Sequence, residues 1–253
     1  LHVDEDNEHC SKGCKMAKVI LEQIIQLQPV EAKKKLLPCQ GKLWQQWTQA
    51  DKEQYRLKKK RREMSTDSYA HQRIEEKKQV RQAQYNLKIS PALSQFIDYI
   101  SDSSRLTRQY FLHWLRFGLD ENSKLTLTKL RQRYKELRDQ QNQAHNKHYA
   151  EELRKVDQAL ADGSLGLEHF FRELGQIYEA HVAVGRLSPK ISFLPNIIAD
   201  LLLEGTPLEI MDGDVSYVPE TWIKAVLNEL KKKVGFDPKV FTLSVLGVQS
   251  SGK

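Results

Sequence analysis

Cysteine is scarce in this 253-residue chain. Three thiols, Cys10, Cys14 and Cys39, cannot staple a protein of 29.4 kDa, so a disulfide framework is excluded and a reducing compartment is the expected setting. Long apolar runs are missing too. The longest stretches, such as Phe193 to Leu203, are broken by polar residues far short of the roughly eighteen needed to cross a bilayer, so no membrane span is expected. Leu1 to Asp6 lacks an initiator Met, a basic flank and the apolar core of a secretory signal, and the missing Met makes a piece of a longer chain the expectation. No GxSxG nucleophile elbow, HExxH pair or clustered catalytic dyad occurs, which leaves serine- or cysteine-type hydrolysis without support.

What is abundant is charge, unevenly placed. Residues 1–160 hold 31 Lys and Arg against 21 Asp and Glu, a balance of +10; residues 161–253 hold 9 against 12, a balance of −3. The Gln- and Lys-rich composition stops at the same turn, Ala161-Asp162-Gly163, which marks a boundary. Before it Gly and Pro are few, and Leu, Lys, Gln, Glu and Arg dominate, the residues that lose least rotamer freedom in a helix. The first half therefore reads as helical throughout.

Ile20, Ile24 and Leu27, with Met16 and Val19, stripe a helix over Lys15 to Leu37 that Pro29 should kink or split and Pro38 and Gly41 should end. Leu43 to Leu87 has few apolar anchors, Trp44, Trp47, Tyr55 and Leu57, and reads as a long, partly exposed helix with an interruption at Ser65 to Asp67. Ser90 followed by Pro91 is an N-cap with Pro at the first helical position. Leu106, Tyr110, Phe111, Trp114, Leu115 and Phe117 then form the broad stripe of a second helix from Ser103, which Gly118 is expected to terminate. Leu127, Leu130, Tyr134, Leu137, Gln141, Ala144 and His148 make a heptad seam that resumes at Leu153, Val156 and Leu160. Read as one helix, that segment is roughly 50 Å long and needs a partner; its weak centre favours an antiparallel bundle within the chain over a dimer.

After the boundary, Ser164 is expected to cap a helix reaching Tyr178, and Ile197, Ile198, Leu201 and Leu202 mark another that Gly205 stops. Pro207 to Met211 reads as a short strand, Asp212-Gly213 as a turn, and Pro219 as the opening of an amphipathic helix with Trp222, Ile223, Val226, Leu227 and Leu230. Val240 to Leu246 is the β-branched, apolar run of a strand buried on both faces of a parallel sheet.

Directly after it stands GVQSSGK: Gly247, Val248, Gln249, Ser250, Ser251, Gly252 and Lys253 fit the GxxxxGK part of a phosphate-binding P-loop. Glycines let the backbone curl so that successive N–H groups face the phosphates, and the Lys ammonium meets the β and γ oxygens. Such spacing arises by chance in roughly one chain of this length in ten to twenty, so its weight comes from its place after a buried-type strand. The Ser or Thr that would hold Mg²⁺ comes next in such loops, and this sequence does not include it.

The segment SFLPNIIADLLLEGTPLEIMDGDVSYVPETWIKAVLNEL from Ser192, with VFTLSVLGVQSSGK, resembles the interferon-inducible very large GTPases and their relative, the up-regulator of cell proliferation. The block from Leu36, with LPCQGKLWQQW and YFLHWLRFGLDE at Tyr110 to Glu121, is similar to the region preceding the G domain in those proteins. The resemblance implies GTP binding and hydrolysis with Mg²⁺ in a complete G domain, kinship with dynamin-like GTPases, self-association through that domain, and residence in cytosol and nucleus. It carries over only the loop Gly247 to Lys253, since switch and base-reading motifs would lie further on; this chain alone should not hydrolyse GTP. The expected architecture is thus mainly α. A helical bundle or coiled-coil region spans 1–160, a helical connector 161–206, and the start of an α/β GTPase domain 207–253.

Other constellations have plainer readings. Lys58 to Arg62, within a segment (Lys52 to Lys88) of 12 basic and 5 acidic residues, could bind nucleic-acid phosphates or act as a nuclear address, or form a solvated helix face. His9, Cys10, Cys14 and Cys39 lack a second close pair for zinc, and His145 and His148 with Glu151 and Glu152 read as packed or exposed side chains. An EF-hand counted from Asp212 fails at Tyr217 and Ile223, leaving Asp212 and Asp214 to a turn. The rival function is a non-enzymatic helical scaffold that binds a protein or nucleic acid, and spacing alone does not separate GTP from ATP.

Overall fold

The computed structural model describes residues 2–25, 27, 29–61, 67–102, 104–144, 147–213 and 215–235. Among them are eleven α-helices: α1 His2–Ile24, α2 Pro29–Leu36, α3 Lys42–Arg61, α4 Asp67–Tyr85, α5 Pro91–Asp102, α6 Arg105–Ala144, α7 Lys147–Gly163, α8 Leu167–Val184, α9 Pro189–Ser192, α10 Leu194–Leu203 and α11 Glu220–Val234. A 3-10 turn, Pro38–Gln40, joins α2 to α3.

Local chemistry sets most boundaries. Of the two outcomes expected at Pro29, the structure shows the split: α1 ends at Ile24 and Pro29 begins α2, where its missing N–H has no cost. Ser90 Oγ accepts the Leu93 N–H (3.2 Å) and donates to the Leu36 carbonyl (3.0 Å), so one hydroxyl caps α5 and ties it to the end of α2. Gly166, rather than Ser164, is the N-cap of α8, its N–H donating to His169 Nδ1 (3.1 Å). The helix runs past Tyr178 to Gly185, whose φ of 71° supplies the left-handed turn.

The core is one cluster drawing residues from Met16 to Val226. At its heart Phe96 of α5 meets Phe111 of α6 (5.9 Å between ring centroids) and Phe170 and Phe171 of α8 (5.0 and 5.8 Å). Rings at these separations add attraction to their area burial. Helix α8 is the central element and is packed by α4, α6, α11 and the 3-10 turn. Helices α10 and α11 lie together at one end, where Lys233 pairs with Asp200 (2.9 Å).

Helix α1 runs parallel to the first half of α6: His9 Nδ1 is 2.7 Å from Thr107 Oγ1, while Leu21 lies against Gly118. Gly118 thus stands inside α6 and does not end it. A Cβ there would come within 2.3 Å of Leu21 Cδ1, so glycine serves the close approach of two helices. Gly13 does the same from α1, where a Cβ would stand 2.7 Å from the Phe111 nitrogen.

Two further expectations are corrected. Leu127 to Leu160 is not one helix. Helices α6 and α7 pack on each other, Ser164 and Leu165 share a cleft with Ser123 and Leu127, and Arg133 pairs with Glu152 (3.3 Å), which together define an antiparallel hairpin. The heptad seam faces inward along this hairpin, with Leu137 buried and Leu127, Leu130, Tyr134, Val156 and Leu160 half-buried. Pro207 to Met211 is not a strand, and no strand occurs among the described residues; the nearest feature is an isolated antiparallel bridge between Asp212 and Tyr217. Ile210 and Met211 are exposed, and the segment is fixed by side chains, Glu209 accepting from Arg172 Nη2 (3.0 Å) and the Gly213 N–H (3.1 Å). Apolar composition made it strand-like, but without a ladder partner it follows its turn. Val240 to Leu246 lies outside the described residues.

Candidate functional site

Gly247 to Lys253 also lie outside the described residues, which reach Gly235. Helix α11 ends at Val234, six residues before Val240. Pro219, at its N-cap, offers no side-chain acceptor. Glu179 of α8 takes that part: its Oε1 accepts the Thr221 and Trp222 N–H groups at 3.1 and 3.4 Å. A carboxylate at the positive end of the helix dipole is favourable, more so when buried. Trp222, Ile223 and Val226 face the core, whereas Leu227 points to solvent. Trp222 settles on α8 at Gly175, where a Cβ would stand 2.9 Å from its Cδ1.

Glu179 belongs to a buried polar cluster. Its other oxygen pairs with Arg81 of α4, and the two side chains are 5% and 3% exposed. Arg81 Nη1 donates to Gln84 Oε1 (2.8 Å) and Gln176 Oε1 (2.6 Å), and the guanidinium lies over the Trp44 ring at 4.3 Å. Gln84 Nε2 reaches the Cys39 carbonyl (2.8 Å), continuing the network into the 3-10 turn. There Glu173 Oε1 accepts the Cys39 N–H (2.7 Å), and Oε2 accepts the Gln40 N–H (3.1 Å) and Gln40 Nε2 (3.0 Å). Burial pushes the Glu173 carboxyl up to about 7 against these donors, and burial, with Glu173 beside it, raises the Cys39 thiol well above its ordinary value. Cys39 is thereby a packed thiol and not a nucleophile.

An aromatic cluster adjoins this network. Trp44 and Trp47 stack at 5.3 Å, and the Tyr217 ring meets Trp44 edge-on at 4.8 Å. Lys77 lies over Tyr217 at 5.2 Å, and Arg73 over Trp47 at 4.9 Å. Asp212 accepts the Val215 N–H (3.3 Å) and lies 3.5 Å from Arg172, so the turn at Asp212-Gly213 is built as its residues imply. Asp214 lies outside the described residues.

The remaining candidates are scattered. His9 bonds to Thr107, Cys10 is half-buried, Cys14 is exposed and Cys39 sits far away beside Glu173. No group of His, Cys, Asp or Glu suited to a metal occurs among the described residues, nor a helix long and apolar enough to cross a membrane. The side chains of Lys58 to Arg62, His145 and His148 lie outside the described set. Sequence reasoning missed the Arg81–Glu179–Glu173 cluster altogether. Its trace was present: Glu173, Gln176 and Glu179 recur every three residues, a polar row on α8 that the structure buries.

Comparison with known proteins gives this architecture its context. Residues 51–253 match the URGCP-like GTPase domain family. The chain is 33% identical to the human interferon-induced very large GTPase 1 over 99% of its own length and 11% of that protein, and 32% identical to the mouse protein over the same shares. It is 32% identical to the human up-regulator of cell proliferation, over 100% of this chain and 26% of that protein. The chain therefore spans about a tenth to a quarter of these curated relatives. No solved structure matches. A motif-bearing carboxyl end, the helical block before it and a family match across most of the chain agree: this chain belongs to the URGCP-like GTPase family.

Proposed function

We propose that this chain forms the helical flank and the opening of a GTP-binding domain, with Gly247, Val248, Gln249, Ser250, Ser251, Gly252 and Lys253 as its phosphate-binding loop. The observation that carries the reading is the family match running through GVQSSGK to residue 253. In this reading residues 1–160 are the helical region, 161–206 the connector and 207–253 the start of the GTPase domain, regions that share a core. Backbone N–H groups of the loop cradle the phosphates and the Lys253 ammonium neutralises charge on the β and γ oxygens, so the domain acts by positioning and electrostatics without a covalent intermediate. In a complete G domain Mg²⁺ would be held by a hydroxyl next after the loop lysine; no group of His, Cys, Asp or Glu suited to a metal occurs among the described residues. Self-association through the complete domain and residence in cytosol and nucleus belong to the same proposal.

The test is Lys253→Ala in a protein that continues through the G domain, read by titration with a fluorescent GTP analogue and, in competition, with ATP. The expected result is loss of binding by about a hundredfold or more, the scale of a desolvated charge on phosphate. Affinity within about threefold of the unsubstituted protein would refute the assignment, and preference for ATP would correct the base.

A further inference from the structure

The entrance to α11 is held twice by helices far away in sequence. Glu179 joins the α11 N-terminus to Arg81, and the Tyr217 ring, two residues before Pro219, is gripped by Trp44, Trp47 and Lys77. All the gripping groups except Glu179 come from α3 and α4. Those two helices are themselves fastened together: Arg73 of α4 donates to the Trp47 carbonyl of α3 (2.9 Å) and to Asp51 Oδ1 (3.3 Å). The pair therefore acts as a unit on the start of α11.

The Arg81–Glu179 pair at the centre of this junction is buried and hydrogen-bonded, while the Trp44 and Trp47 indole N–H groups beside it are buried without a hydrogen-bond partner. Arg81 is 2% exposed, its three bonding partners lie on α4 and α8, and its flat face covers Trp44. A closely packed, hydrogen-bonded junction changes by stepping between arrangements rather than by bending. A shift of α11 along its axis would withdraw the Thr221 and Trp222 N–H groups from Glu179 and force Arg81, and with it α4, to readjust.

We infer that the Arg81–Glu179 junction couples the α3–α4 helix pair to nucleotide occupancy, with α11 as the connecting rod. The inference rests on the phosphate-loop reading of Gly247 to Lys253, a segment that begins thirteen residues after the end of α11 in the sequence. Glu179 and Arg81 are positioning residues: they act through α11. By linkage, a nucleotide that shifts α11 changes the arrangement of α4, and whatever holds α4 changes nucleotide affinity by the same factor.

The experiment is amide hydrogen exchange, read by mass spectrometry, on the longer protein carrying this chain, with and without a non-hydrolysable GTP analogue and Mg²⁺. Exchange in peptides covering residues 74–85 and 217–226 is expected to change by about threefold or more on binding, while α1 stays unchanged. Unaltered exchange in 74–85 with nucleotide demonstrably bound would overturn the coupling and leave the phosphate loop standing. Absence of any binding would overturn the loop reading and the coupling with it. Glu179→Gln keeps an acceptor for the α11 N–H groups and removes the ion pair. It is expected to abolish the response of 74–85 and to alter nucleotide affinity about fivefold, the lower end of ordinary coupling. A variant with both properties intact would also overturn the inference, and the comparison on the unsubstituted protein requires no variant to fold.

Discussion

Glu173 is enclosed with donors from Cys39 and Gln40 and no cation among its hydrogen-bond partners, so its protonation is tied to folding. Its carboxyl, raised to about 7 from an ordinary 4.5, binds its proton more tightly in the folded state than in the unfolded one. Its contribution to stability is therefore fully present below pH 4.5 and is lost as pH rises through 7. Glu173→Gln should flatten that part of the stability profile. The difference between the two proteins should change by on the order of 2–3 kcal/mol between pH 4.5 and 7.5, measured by urea unfolding at each pH. Parallel profiles would show that the carboxyl titrates normally. Glu168, five residues after the boundary turn and exposed to solvent, goes the other way: its bond to His169 lowers it. Neither behaviour is visible in sequence, where both are simply glutamates of one helix.

At the level of elements, the α6–α7 hairpin and the core helices differ in what holds them. Leu137 is 1% exposed, yet its neighbours along the seam, Leu130, Tyr134 and Gln141, are half-buried. Replacing it with Ala removes the best-packed contact of the hairpin, a change that costs about 2–5 kcal/mol at well-packed sites. The loss should stay local: amides of 127–160 should exchange faster while those of α5 and α8 keep their protection, as hydrogen exchange would reveal. Equal acceleration in α8 would mean that hairpin and core open together. The seam was legible in the sequence because a spacing of three and four residues is a property of neighbours. Its fold-back was not, since the same spacing suits one long helix and two antiparallel ones equally. Gly118 taught the same lesson, because a glycine that ends a helix and one that admits Leu21 differ only in what lies opposite.

For the whole molecule, the decisive feature is that one cluster joins residues on both sides of residue 160. Phe96, fully buried against Phe111, Phe170 and Phe171, sits at the meeting of α5, α6 and α8. Phe96→Ala should cost about 3–5 kcal/mol and lower the temperature of a single transition followed by far-ultraviolet circular dichroism. Two separate transitions, one of them unmoved, would divide the core. The amino-acid sequence by itself determined the helical character, the starts at Pro91 and Pro219, the stop at Gly205, and the covalent spacing of GVQSSGK. These depend on residues within a turn or two of one another, where propensity, capping and backbone freedom act. Only the tertiary structure decided that Pro207 to Met211 is no strand, that α6 and α7 fold back, and that Arg81 is buried against Glu179. Arg81 and Glu179 are 98 positions apart, and a charged side chain enters a core only where distant partners complete its hydrogen bonds, which no local pattern can state.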